Sequence, residues 1–219
     1  MKELNMDVVN KTMEHLRKNN MAAYFVEKKE DVLPLFRELT KEGDTVTHGG
    51  SETLKECGLT EELSSGRYRY LDRSKCTTPE EVEKIYRDAY FADVYLASAN
   101  AVTESGLLYN VDGNSNRVSA ILYGPKSVIF ICGYNKIVKD LDEATYRVKK
   151  YAAPKNTKRL NCETYCKNAG ECLAVGRDAS YMCDGCRSDG RICCNYVISA
   201  KQRHKDRIKV ILVGEELGY

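Results

Sequence analysis

Short apolar runs alternate with amphipathic stretches along most of this chain, and that alternation narrows the fold more than any other feature. Runs at Ala22 to Val26, Asp44 to Thr47, Tyr68 to Leu71, Val94 to Ala97 and Ser127 to Cys132 have strand length. Between them, Leu4 to Asn19 places Leu4, Val8, Val9, Met13 and Leu16 on one helical face. Glu30 to Leu39 does the same with Val32, Leu35, Phe36 and Leu39, and Pro34 falls near its first turn. Thr78-Pro79-Glu80-Glu81 reads as a helix start running to about Phe91, with Thr as N-cap and Pro at the first helical position. Asp140 to Tyr151 is a further helix, and Tyr134 to Val138 reads as a continuation of the strand before it. Such alternation predicts an α/β fold with a mainly parallel sheet covered by helices.

The boundaries follow a change of character. The α/β pattern predicts one domain over residues 1–155. After Pro154 the chain becomes cysteine-rich, and residues 156–219 read as a metal-binding extension that returns one strand, Ile208 to Val213, to the domain. Net charge is +2 from 34 basic and 32 acidic residues, which gives no reason to expect nucleic acid or an anionic membrane as partner. No apolar run approaches the roughly 18 residues of a membrane span. Met1 to Leu16 carries charges throughout, unlike a secretory signal, so a cytoplasmic location is expected.

Two strand-to-helix connections attract attention. His48-Gly49-Gly50-Ser51 follows a strand, with Ser51 as N-cap of a helix over Glu52 to Glu56 and Gly58 as its stop. This turn exposes backbone N–H groups that suit an anion, although Gly also serves a plain tight turn. The second connection, Asn100 to Gly124, is dense in Gly, Asn and Asp and holds Glu104 and Arg117. Loops leaving the ends of parallel strands converge on one crevice.

The motifs in these stretches carry a resemblance. His48-Gly49-Gly50-Ser51-Glu52-Thr53-Leu54, Asn100 to Gly106, Asp112 to Val118, Tyr123-Gly124-Pro125-Lys126 and Asn135-Lys136-Ile137-Val138 resemble, in order and spacing, the lactate-utilisation (LUD) domain family. The resemblance covers nearly the whole chain. It implies a fold like that of glucosamine-phosphate deaminase, ribose-phosphate isomerase and the coenzyme A transferases. It also implies a role beside iron–sulfur partner proteins in oxidising lactate to pyruvate, and it leaves a homodimer open.

Thr103-Glu104-Ser105-Gly106 is similar to the coenzyme A transferase turn whose Glu forms a thioester, with Thr for Ser and Ser for Asn. That makes Glu104 the candidate catalytic residue, as nucleophile or base. The bland reading is a turn carboxylate bonded to nearby N–H groups. Asn114, Asn116 and Arg117 are candidate ligand contacts, since the planar guanidinium matches a carboxylate or phosphate. Arg117 suits an internal pair with Asp112 or Glu104 equally well. His48, Gly49, Gly50 and Ser51 complete the candidate pocket, with His48 lining it; Lys136 is a further candidate for anion contact.

Ten cysteines are the anomaly in composition, and seven fall between Cys162 and Cys194. Clustering of this kind in a cytosolic-looking chain points to metal ligands more than to disulfides. Spacing alone does not choose four of the seven. The resemblance maps the family's tail onto Cys166, Cys172, Cys186 and Cys193, with residues inserted between Cys172 and Cys186. Four thiolates accept a [4Fe–4S] cluster or zinc. Cys57, Cys76 and Cys132 stand alone and read as packing residues.

Three functions follow as expectations. The first is a redox protein of the lactate-utilisation type with a thiolate-bound metal and a small-anion pocket. The second is a coenzyme A transferase-like or sugar-phosphate-acting enzyme using Glu104. The third is a ligand-binding scaffold with a structural zinc.

Overall fold

The computed structural model describes residues 3–175 and 182–219. Its strands are β1 (Ala22–Val26), β2 (Thr45–His48), β3 (Arg69–Tyr70), β4 (Val94–Ala97), β5 (Ala101–Thr103), β6 (Leu108–Asp112), β7 (Ser127–Gly133), β8 (Ile137–Val138), β9 (Asn195–Ser199) and β10 (Ile208–Val213). Six of them form a wholly parallel sheet in the order β1-β10-β7-β4-β2-β3. This is the α/β architecture that the alternation predicts.

Successive strand residues point to opposite faces, so a sheet covered on both sides needs apolar residues at every position. The central strands show this. Val128, Phe130, Cys132, Val210 and Leu212 pack on one face; Ile129, Ile131, Ile211 and Val213 pack on the other. The first face is covered by α1 (Met6–Lys18), through Val9, Met13 and Leu16, and by α6 (Asn116–Leu122), through Ala120 and Ile121. The second is covered by α2 (Val32–Glu38), α3 (Glu52–Glu56) and α4 (Leu59–Leu63), through Val32, Phe36, Leu54, Leu59 and Leu63.

Helix starts follow local chemistry. The Asn5 side chain accepts from the N–H groups of Asp7 and Val8 at the head of α1. Thr78 and Glu81 form a capping box on α5 (Pro79–Asp88), as the sequence predicts.

The structure differs from the sequence reading in two places, the make-up of the second sheet and the boundary at residue 155. Asn100 to Asp112 is not an open loop. β5 and β6 form an antiparallel hairpin in a second sheet, ordered β8-β5-β6-β9. These strands are too short for period-two alternation to stand out against their many turn formers. Tyr134 to Val138 does not prolong β7 either. The chain makes a tight turn at Tyr134–Lys136 and enters the second sheet as β8.

The second difference lies at residue 155. Helix α7 (Leu141–Arg147) runs through a wide turn, Val148–Ala152, into α8 (Ala153–Arg159), and α9 (Tyr165–Ala169) follows. Pro154 lies in the first turn of α8, and the widened turn just before it loosens the ladder at the point where an N–H is missing. The expected boundary therefore falls inside a helix. Residues beyond it supply β9 to the second sheet and β10 to the first, where it is inserted between β1 and β7.

Residues 1–155 expressed alone should show no cooperative unfolding transition, because β1 and β7 would be separated by a missing strand. In the full chain, Ile211→Ala should lower stability by about 2–5 kcal/mol in denaturant titration, the usual loss for a large buried side chain. A cooperative transition from residues 1–155 would show that the sheet closes without β10.

Candidate functional site

A cavity of about 330 Å³ opens where the carboxyl ends of the strands meet. Its wall is made by residues that follow them: Gly50 to Thr53 after β2, Arg73 after β3, Ser98 to Asn100 after β4, Gly113, Asn114, Asn116 and Arg117 after β6, and Lys136 after β7. That is the crevice a parallel sheet offers. The other wall comes from α8 and the turn before it, with Val148, Ala152, Asn156 and Arg159, and from Ile192 and Cys193 of the extension.

The structure brings Gly50, Ser51, Asn114, Asn116 and Arg117 to this one cavity. His48 and Gly49 stand behind it. The His48 ring is held between the Gly49 carbonyl and the Tyr70 hydroxyl and stacks on Tyr70. Burial pushes its pKa below the ordinary histidine value, against the opposing Gly49 hydrogen bond. His48 therefore braces β2 against β3 and does not line the cavity. Gly49 admits Arg117, whose Cδ would lie 2.9 Å from any Cβ placed there.

Glu104 lies elsewhere. It sits in the turn of the β5–β6 hairpin, where its carboxylate meets Lys11 at 3.0 Å and its carbonyl meets the His15 ring. Gly106 of the same turn packs on the α1 backbone, with a would-be Cβ 2.6 Å from the Leu16 nitrogen. The hairpin geometry carries the carboxylate to α1, so the expectation of Glu104 at the cavity edge is not met.

Arg117 is the best-partnered side chain of the site. Its Nε donates to Asp112 Oδ1 at 3.0 Å. One terminal nitrogen donates to the Ser98 carbonyl and Asn110 Oδ1; the other donates to Asn100 Oδ1 and the Val111 carbonyl. A guanidinium has five N–H groups, so all five are taken. The second Asp112 oxygen accepts from the N–H groups of Arg117 and Val118 and so fastens the start of α6. Of the two readings of Arg117, the internal pair with Asp112 is the one observed.

Two other cations stand differently: Lys136, a candidate for anion contact from the sequence, and Arg73, which sequence reasoning passed over. Lys136 is 2% exposed, and its Nζ donates to Thr53 Oγ1 at 2.9 Å and Ser98 Oγ at 2.8 Å. Burial pulls its pKa down to about 8; Arg147 and Arg117 act in the same direction, while Cys132 and Glu56 oppose it. Arg73, half-buried, donates to the Tyr86 hydroxyl at 3.4 Å. Among the described residues neither is in ion-pair contact with a carboxylate. The signal for both was position, since each follows closely on the end of a predicted strand.

The cysteines form a second feature. Cys166, Cys172, Cys186 and Cys193 line one small cavity of about 20 Å³, beside Arg191 and Tyr196. Burial, reinforced by the neighbouring Cys166 and Cys172, pushes the Cys193 thiol up to about 12. Arg191 holds the surrounding backbone, donating to the carbonyls of Cys183, Cys186 and Cys193. The thiols of Cys162, Cys183 and Cys194 do not line this cavity. All ten cysteines are free, and Cys57 and Cys132 are buried in the core as expected. Among the described residues, no three Cys, His, Asp or Glu groups stand close enough to ligate one ion. The four thiols thus face a common space at a separation wider than ligation.

Lys136→Met should stabilise the fold by about 1–3 kcal/mol at neutral pH, the relief of an uncompensated buried amine less its lost hydrogen bonds. Between pH about 8 and the ordinary lysine value of 10.5, the unfolded chain binds more protons at this position than the folded one. Stability of the parent therefore rises with pH there, and its deficit against the variant should shrink. Unfolding titrations across that window check the sign; a gap that stays constant would exclude a titrating Lys136.

No functionally curated protein matches the chain. Among solved structures, it is similar to a DUF162 family protein from Deinococcus radiodurans, with a TM-score of 0.54 at 14% identity, covering 96% of this chain and 99% of that one. It is also similar, at a TM-score of 0.32 and 17% identity, to ribose 5-phosphate isomerase A from Methanocaldococcus jannaschii, covering 74% of this chain and 70% of the other. No helix among the described residues is long and apolar enough to cross a membrane. The sequence itself matches the LUD domain over residues 9–213, and the chain belongs to that family.

Proposed function

We propose that this chain is a LUD-type protein of lactate utilisation or a related redox metabolism, which binds a small carboxylate or phosphate beside a thiolate-held metal centre. The observation that carries this reading is a shared wall. Val148, Ala153, Ile192 and Cys193 border both the large cavity and the small one lined by four thiols. A ligand in the first cavity is therefore one side chain away from the second.

The chemistry of the donor set, though not its present spacing, suits a metal. Four thiols from three short segments converge on one space, and soft sulfur donors take zinc or an iron–sulfur cluster. Cys166, Cys172, Cys186 and Cys193 would hold it. A [4Fe–4S] cluster would supply one-electron transfer next to the cavity, whereas zinc would fasten the extension. The rest of the work falls to the chain's own groups. Arg73 and Lys136 offer positive charge, Asn114 and Asn116 offer amides, and Arg117 with Asp112 keeps the wall in shape. Oxidation of a hydroxy acid releases two electrons, so this reading also calls for an acceptor outside the chain, and an iron–sulfur protein suits that role.

Protein purified without oxygen should contain iron and acid-labile sulfide, and Cys166→Ser or Cys172→Ser should remove most of both. The same variants should speed proteolysis between Leu160 and Cys194. One zinc per chain in place of iron would support the scaffold alternative. Neither metal in an anaerobic preparation would end the metal reading and leave the anion cavity alone.

A further inference from the structure

The charges that line the large cavity do not balance within the chain. Four cations border it: Arg73, Arg117, Lys136 and Arg159. Two carboxylates border it, and both are engaged. Asp112 holds Arg117 at 3.0 Å. Glu52 meets Arg159 at 3.6 Å and Lys55 at 3.2 Å. Arg73 and Lys136 remain without a carboxylate among the described residues, and they stand at different places.

Lys136 lies at the Thr53 end of the turn after β2. It is buried, its ammonium has three hydrogens, and two are taken by Thr53 and Ser98. The third has no acceptor among the described residues, and the group borders the cavity. Arg73 lies at the Gly50 end of the same turn. Its terminal nitrogen would be 2.9 Å from a Cβ at Gly50, and that of Arg159 would be 3.8 Å from the same point. Glycine at this position leaves the space in which both guanidiniums converge. A cation without a counter-ion is costly in proportion to its burial, and a protein that keeps one buried and one half-buried at separate points of one cavity gains when anions arrive. Volume agrees, since about 330 Å³ is ligand-sized and far exceeds a three-carbon acid.

We infer that the cavity takes a ligand with two separate anionic groups, a carboxylate or phosphate at each end, one met by Lys136 and the other by Arg73. The inference rests on the anion-binding reading above and narrows its ligand class from a simple hydroxy or oxo acid to a phosphorylated or dicarboxylic one. Arg117 is not a ligand contact in this scheme, because its donors are all engaged within the chain. Arg159, already paired with Glu52, adds a weaker second contact at the Arg73 end.

Calorimetric titration of the full-length protein with pyruvate, inorganic phosphate and 3-phosphoglycerate separates the cases. The expected result is that 3-phosphoglycerate binds at least about tenfold more tightly than either of the others, the effect of one added charge-assisted contact. Arg73→Met should abolish that advantage and bring 3-phosphoglycerate down to the affinity of pyruvate, while Arg73→Lys, which keeps the charge, should retain part of it. Lys136→Met should weaken pyruvate and 3-phosphoglycerate alike. Equal affinities for pyruvate and 3-phosphoglycerate, or an advantage that survives Arg73→Met, would overturn the two-ended ligand and leave a one-anion cavity standing. Binding of none of the three would overturn both that inference and the anion cavity itself. Thermal unfolding of each variant confirms that the loss is one of binding and not of fold.

Discussion

The site depends on one buried ion pair, Arg117 with Asp112. Both side chains are nearly covered, at 12% and 14% exposure. A guanidinium in that setting is tolerable only when every donor is satisfied, and here each of the five has an acceptor. Those acceptors come from the β4–β5 connection, through Ser98 and Asn100, and from β6, through Asn110, Val111 and Asp112, while Arg117 itself stands at the start of α6. One side chain thus fixes the relation between the main sheet, the second sheet and a helix that covers the core. Removing it would leave Asp112 and several carbonyls unpaired in a poorly solvated space, which costs several kcal/mol in comparable cases, about 3–5.

That constraint determines where binding charge can lie. A guanidinium committed to five internal bonds shapes a wall but has nothing left for a ligand. The positive potential available to an anion falls to groups held in place by neutral partners. Lys136 is held by two hydroxyls and Arg73 by a tyrosine. Hydroxyls position an ammonium without cancelling its charge, whereas a carboxylate does both. The protein has thus separated two jobs, framing the cavity and charging it.

This separation explains how far the sequence could be read. The parallel sheet was legible because its central strands are almost continuously apolar and its helices carry clean caps at Ser51 and Thr78. The convergence of the Gly50 and Arg117 loops was legible too, since it follows from strands running the same way. The β5–β6 hairpin was not. Its turn residues, Thr103 to Gly106, read as a catalytic elbow, yet their task is to seat the hairpin on α1 through Gly106. The position of Glu104 went unread with it, because an acidic residue in a tight turn looks the same whether it faces a cavity or an exposed lysine. Lys136 was undervalued because lysine is rarely buried. Only the change of direction after β7, which sends the chain into the second sheet, puts its side chain inside. The four thiols, by contrast, were placed together on the strength of the family's spacing, and they do line one small space.

The same residue that anchors Arg117 also joins the cavity to the cysteine segment. Asp112 ends β6, and its carbonyl accepts from the Cys194 N–H at 3.0 Å, just where β9 begins to pair with β6. Its neighbour Gly113 comes so close to Ile192 that a Cβ would lie 3.1 Å from the Ile192 Cα. The closing residues of the cysteine run are therefore positioned against the backbone of the pocket wall. Beyond them the chain runs through β9 in the second sheet and then β10 of the first, between β1 and β7. A segment fixed by strands in both sheets cannot move as a free appendage. A change at the thiols, whether metal loading or oxidation, would be felt at Ile192 and Cys193, and so at the Asp112–Arg117 pair one residue away. The coupling works equally in reverse, because a ligand that tightens the Asn114 to Arg117 wall restrains the strand pairing that presents Cys193.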